Sequence, residues 1–85
     1  MALYLVGYDL MNHKTQGEYE GLIGELKRLG AQKVLLSQWV LQSNVDAEAI
    51  RDRLRRFMHE DDRMLVAEIT HNWASCWTLF SINEL

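Results

Sequence analysis

The chain has no proline and one cysteine, Cys76. Without proline there is no stiff linker and no proline-rich tail. A lone thiol closes no internal disulfide, which excludes a disulfide-stapled scaffold and suits a reducing compartment. Structural zinc is not expected, because His13, His59, His71 and Cys76 lack the paired spacing of zinc ligands. No apolar run approaches the ~18 residues that span a bilayer, and no charged segment precedes a leader-like apolar core. These absences predict a cytoplasmic domain. Basic charge is also scarce: nine Lys and Arg stand against twelve Asp and Glu, for a net charge of −3. Dedicated nucleic-acid binders are usually basic overall, so any phosphate-binding surface must be a local patch.

What the chain does have is a core's worth of apolar residues. They make up 48% of 85 residues, a globular fraction in a length that gives one small domain. Chains this short are marginal without staples or a partner subunit.

The opening run "LYLVGYDL" (residues 3–10) carries apolar residues on both alternating faces and reads as a central strand ending at Asp9. Gly7 inside it predicts a bulge or a close backbone approach. After the polar "MNHKTQG", apolar residues at Tyr19, Leu22, Ile23, Leu26 and Leu29 form a helical stripe, with Thr15 and Glu18 at capping-box spacing and Gly30 as a left-handed stop. "QKVLLSQWVLQSN" is either one long strand or two bent near Ser37-Gln38. "DAEAIRDRLRRFMHE" predicts a second helix, capped by Asp46 and buried along Ile50, Leu54, Phe57 and Met58. "DRMLVAEIT" is a strand with Met64 and Val66 on one face and Leu65, Ala67 and Ile69 on the other.

Splitting the middle segment gives βαββαβ, a ferredoxin-like α+β fold with two helices on one face of an antiparallel sheet. The core covers about residues 3–70. Residues 71–85 form a C-terminal extension or further strand, rich in Trp73, Trp77 and Phe80, and are expected at a dimer interface. The open sheet face makes a twofold homodimer the default.

Three stretches then resemble a known family: "YDL" closing the first strand, "LKRLGAQKVLLSQWVLQ", and "AEAIRDRLRRFMHEDDRMLVAEIT". Their order and spacing are similar to the small CRISPR-associated adaptation subunit (the second Cas protein), in particular its SinR-like stand-alone subgroup. The resemblance implies a homodimer of ferredoxin-like protomers, in which Asp9 of both copies faces the twofold axis and holds Mg²⁺. It also implies nucleic acid, RNA or DNA, as partner, with the larger CRISPR adaptation nuclease as a second protein partner. The activity implied is a weak or absent metal-dependent endonuclease. Departures from the family pattern lie in the loop after the first strand, where Lys14 is the only basic residue beside His13.

For each candidate a plainer reading stands beside the functional one. Asp9 is a metal ligand and catalytic acid, or a turn former bonding nearby amides. His13 is a general base or second ligand, or a solvated loop residue. Ser37 contacts substrate or bonds at a strand bend, the bend being favoured. Lys14, Arg51 and Arg55 are the candidate phosphate contacts. Against that role, Glu48–Arg51, Asp52–Arg55 and Asp52–Arg56 have helix-pair spacing and predict a salt-bridged face. Trp73 and Trp77 are base-stacking platforms or, preferably, interface anchors. Two further functions remain open: a non-enzymatic interaction dimer, and a toxin-like ribonuclease similar to VapD.

Overall fold

The computed structural model describes residues 1–11, 19–70 and 72–84. Strands β1 (Ala2–Asp9), β2 (Gln32–Leu35), β3 (Gln38–Ser43) and β4 (Arg63–Ile69) alternate with helices α1 (Glu20–Arg28) and α2 (Ala47–Arg55). The sheet order is β2-β3-β1-β4, and every neighbouring pair is antiparallel. This is the ferredoxin-like α+β arrangement that the element order predicts.

Register explains which side chains make the core. Val6 stands opposite Trp39 on β3 and Val66 on β4, and Tyr4 stands opposite Leu41. With a side-chain period of two, Tyr4, Val6, Tyr8, Trp39, Leu41, Met64 and Val66 share one face. They pack with Leu22 and Leu26 of α1 and with Ile50 and Leu54 of α2. One buried polar pair sits inside this layer: the Trp39 Nε1–H donates to the Tyr8 hydroxyl at 2.9 Å. That bond gives the indole N–H its partner away from water.

The local signals act mostly as expected. Asp46 caps α2, accepting from the Ala49 N–H at 2.9 Å. Gly30 adopts φ +79° after α1, and the Gly30 and Ala31 N–H groups close the helix end on the Lys27 and Leu26 carbonyls. Thr15 and Glu18 lie outside the described residues; the residue at the N-cap of α1 is Tyr19, whose side chain makes no capping bond.

The middle segment is two strands. They turn at Leu36–Ser37 without a positive-φ residue there, and the register shifts between Lys33 and Leu35. An irregularity in β2 thus takes the place of an Asn-Gly turn in matching the hairpin to the sheet twist.

Two expectations need correction. The second helix ends at Arg55 rather than running to Glu60, so Phe57 leaves the buried stripe and is exposed. Its ring instead lies over Gly21 of α1, where an added Cβ would come 2.9 Å from Phe57 Cδ1. Gly7 marks no bulge, because its pairings with Gln38 and Leu65 are in regular register.

The C-terminal extension adds no strand among the described residues, only a 3-10 turn at Ile82–Glu84. The Leu79 N–H donates to the Val34 carbonyl at 2.8 Å. Since β4 and β2 are opposite edges of the sheet, about 14 Å apart, the extension lies against the edge far from β4 by the time it reaches Leu79. Among the described residues, no helix is long and apolar enough to cross a membrane.

Candidate functional site

β1 delivers Asp9 to the end of the sheet's helix-free face. The same alternation that buries Tyr4, Val6 and Tyr8 puts Leu3, Leu5, Gly7 and Asp9 on the other side. Antiparallel pairing then sets Arg63, the first residue of β4, directly opposite Asp9. The β2–β3 turn folds over the same end, held there by the Tyr8 N–H donating to the Ser37 carbonyl at 3.1 Å. The result is a cleft of about 330 Å³ lined by Gly7, Tyr8, Asp9, Ser37, Gln38, Arg63, Met64 and Leu65. At Gly7 the Gln38 side chain lies close over the backbone, its Cγ 3.5 Å from where a Cβ would stand.

Asp9 and Ser37, chosen from sequence, are therefore brought together. Arg63 joins them and was missed. No local motif marks it: only the antiparallel pairing of the first and last strands sets the residue starting one against the residue ending the other. Asp9 is exposed, and among the described residues its carboxylate takes no hydrogen bond or ion pair of 4 Å or less, Arg63 included. The turn-former reading of Asp9 concerns the loop after Met11, which lies outside the described residues. The strand-bend position of Ser37 is as expected.

His13 and Lys14 lie outside the described residues. Arg51 and Arg55 sit on α2 and do not line the cleft. The Arg51 guanidinium is held by Asp52 at 2.8 Å and, more loosely, by Glu48 at 3.8 Å, which keeps its pKa above the usual arginine value. The predicted Asp52–Arg55 and Asp52–Arg56 pairs are absent, since Asp52 turns to its neighbour Arg51.

Two carboxylates that sequence reading passed over organise the scaffold behind the site. Asp62, in the turn before β4, accepts from three directions. Its Oδ1 takes the Met11 N–H and the Tyr19 hydroxyl, each at 2.8 Å, and its Oδ2 takes the His59 N–H at 2.8 Å. Burial alone would raise its pKa, but these bonds together outweigh burial and hold it below the usual carboxylate value. The Tyr19 and His59 rings meet edge-to-face beside it, with centroids 5.7 Å apart. Asp62 thus fixes the chain just beyond Asp9 to the start of α1 and to the turn that launches Arg63.

Glu25 does similar work between helices. It is buried on α1, takes Arg28 Nη1 at 2.5 Å on one oxygen and receives Arg53 Nε of α2 on the other. Arg53 first, then Arg28, holds its carboxyl below the usual range.

The helix-free face beyond the cleft is apolar and uneven. Val40, opposite Leu5, is fully buried, whereas Leu65 is 66% exposed. In the extension, Trp77 is 97% exposed and holds φ +53°, a left-handed conformation that costs a non-glycine residue energy. Trp73 is partly exposed and Phe80 partly buried.

The chemistry open to the site follows from this inventory. Among the described residues, no group of three or more His, Cys, Asp and Glu gathers anywhere. Among the described residues, the cleft offers one unpaired carboxylate, Asp9, and one guanidinium, Arg63. That set suits Mg²⁺, which takes one or two carboxylates and completes its shell with water and substrate phosphate. It does not suit a site built wholly from protein ligands. No protein-family model matches the chain.

Proposed function

We propose that the protein acts as a homodimer on nucleic acid, binding the phosphodiester backbone at the Asp9–Ser37–Arg63 cleft and cleaving it slowly with Mg²⁺. The single observation that carries this reading is the exposed, unpaired Asp9 carboxylate sharing one cleft with Arg63 and Ser37. The resemblance of "YDL" and the two longer segments to the small CRISPR-associated adaptation subunit supports the same reading.

Each residue has a distinct part. The Arg63 guanidinium engages two phosphate oxygens in fork geometry, and its charge meets the negative charge that develops in the transition state. The Ser37 hydroxyl, on a turn anchored to β1, donates to one of the same non-bridging oxygens and fixes the phosphate in register. Asp9 is the residue that would hold Mg²⁺, with the second copy's Asp9 as its counterpart. An ion held there would supply Lewis acidity toward the phosphodiester and would lower the pKa of a bound water. Pairing of two copies would bring a second carboxylate, because among the described residues Asp9 is the only one lining the cleft.

The test is incubation with RNA and with duplex DNA, with Mg²⁺ or with chelator, for wild type and for Asp9→Asn. Cleavage that needs the metal and disappears in Asp9→Asn is expected. Metal-dependent cleavage that survives Asp9→Asn assigns the activity elsewhere and removes the proposed site.

A second reading, a non-enzymatic interaction dimer, draws on Leu65 and Trp77, whose exposure points to a protein partner whether or not chemistry follows. It expects no salt-sensitive retention of nucleic acid. Binding that weakens steeply with added salt separates the two in favour of the first.

A further inference from the structure

A second and larger cleft, of about 540 Å³, opens where α1 ends against the β2 edge, away from Asp9. Its lining falls into two chemical halves. Ile23, Trp39, Leu79 and Phe80 make an apolar floor and wall, while Lys27 and Lys33 supply the only formal charges among the lining residues. No carboxylate lines it to neutralise them. The lysines make no ion pair of 4 Å or less among the described residues. Trp39 offers a ligand only its apolar body, because its N–H is already given to Tyr8.

The wall formed by the C-terminal extension is secured rather than draped. Leu79 is tied by its N–H to the Val34 carbonyl at 2.8 Å, and the Thr78 hydroxyl donates to the Phe80 carbonyl at 2.9 Å. Gly30 at the rim adopts φ +79°, and an added Cβ there would meet nothing within 4 Å, so the entrance is unobstructed. The backbone N–H groups of Leu29, Gly30 and Ala31 are spent on α1 carbonyls, so the end of α1 offers a ligand no free backbone donor at these three residues.

From this arrangement we infer that the Ile23–Lys27–Lys33–Phe80 cleft binds a small organic anion with an apolar body, such as an aromatic or acyl carboxylate. The volume is in the usual range for a small-molecule site, and its mixed lining sets apolar side chains beside two charged groups that can fix orientation. The apolar body lies against Ile23, Trp39 and Phe80, and the anionic head meets Lys27 and Lys33. A cation of the same shape is refused, because it places like charges together. This ligand differs from the phosphodiester proposed at Asp9, and the two sites share no lining residue.

The test uses 1-naphthoate and its cationic counterpart 1-naphthylmethylammonium, titrated into the full-length ¹⁵N-labelled protein and followed by amide shifts. Saturable shifts with naphthoate at residues 30–33 are expected, with none from the cation. Lys27→Gln/Lys33→Gln is expected to weaken naphthoate binding about tenfold, which corresponds to about 1.4 kcal/mol. Phe80→Ala is expected to weaken it severalfold. The unliganded amide spectrum of each variant reports whether it is folded, and the single variant Lys33→Gln serves if the double variant is not. Equal binding of the two ions, indifference to the lysine changes, or shifts centred on Leu65 and Ala67 would each overturn the inference.

Discussion

Replacing Asp62 tests whether one half-exposed carboxylate holds the ground on which Asp9 and Arg63 stand. Asp62→Asn keeps an acceptor where Oδ1 receives Met11 and Tyr19, but sets an amide NH₂ against the His59 N–H. Asp62→Ala removes all three bonds. Each is charge-assisted, and solvent around the carboxylate reduces it to about 1 kcal/mol. The expected losses are therefore about 1 kcal/mol for Asn and about 3 kcal/mol for Ala. For a domain of this size that lowers Tm by about 5 °C and about 15 °C. Against a total stability of about 4–13 kcal/mol, the alanine variant is substantially weakened.

The pH dependence follows from the sign of the shift. The folded-state pKa of Asp62 lies below its ordinary value of 3.8. Its contribution is complete above that value and is lost as pH falls through the lower folded-state pKa. Urea unfolding at pH 7 and at pH 3 measures it. Glu25, shifted in the same direction, acts equally in both proteins and cancels in the comparison. The gap between wild type and Asp62→Asn should be full at pH 7 and narrower at pH 3. No gap at pH 7, or the same gap at both pH values, would refute the clasp.

Other perturbations probe separate parts of the account. Asp46→Ala removes the N-cap bond to Ala49 and should cost about 1 kcal/mol in urea unfolding; a change under a few tenths would mean the cap contributes nothing. Gly30→Ala places a side chain at φ +79° and should destabilise by about 1 kcal/mol, although space is open, so a neutral result would contradict a conformational cause. Leu65→Glu, on a residue already 66% exposed, should leave the fold intact while abolishing the proposed dimer in sedimentation. An unchanged dimer would move the interface off the helix-free face, and a wild-type monomer at micromolar concentration would remove it.

Much of the fold was legible because its signals are local. The alternation in "LYLVGYDL", the 3–4 spacing from Leu22 to Leu29, the Asp46 cap and the Gly30 stop each operate within a few residues and survive in the folded chain. The errors came where tertiary contacts overrule spacing. Phe57 fits the helical stripe by sequence, but α2 unwinds at Arg55 and the ring crosses to Gly21. Asp52 has suitable partners three and four residues on, yet bonds its neighbour Arg51, and Arg53 reaches across to Glu25 on the other helix. The site divides in the same way. Asp9 could be chosen as the residue ending a strand, whereas Arg63 and Asp62 acquire meaning only when β4 is laid beside β1. Their partners are far away in sequence, which no short window contains.

The most direct measurement is the affinity for a labelled RNA and a labelled duplex across a range of salt concentrations, wild type against Arg63→Gln. Binding at the proposed cleft predicts that affinity falls steeply with salt, and that the variant binds both ligands more weakly with a shallower slope. Binding that is absent, insensitive to salt, or equal in Arg63→Gln would contradict the central claim that this cleft receives the phosphodiester backbone.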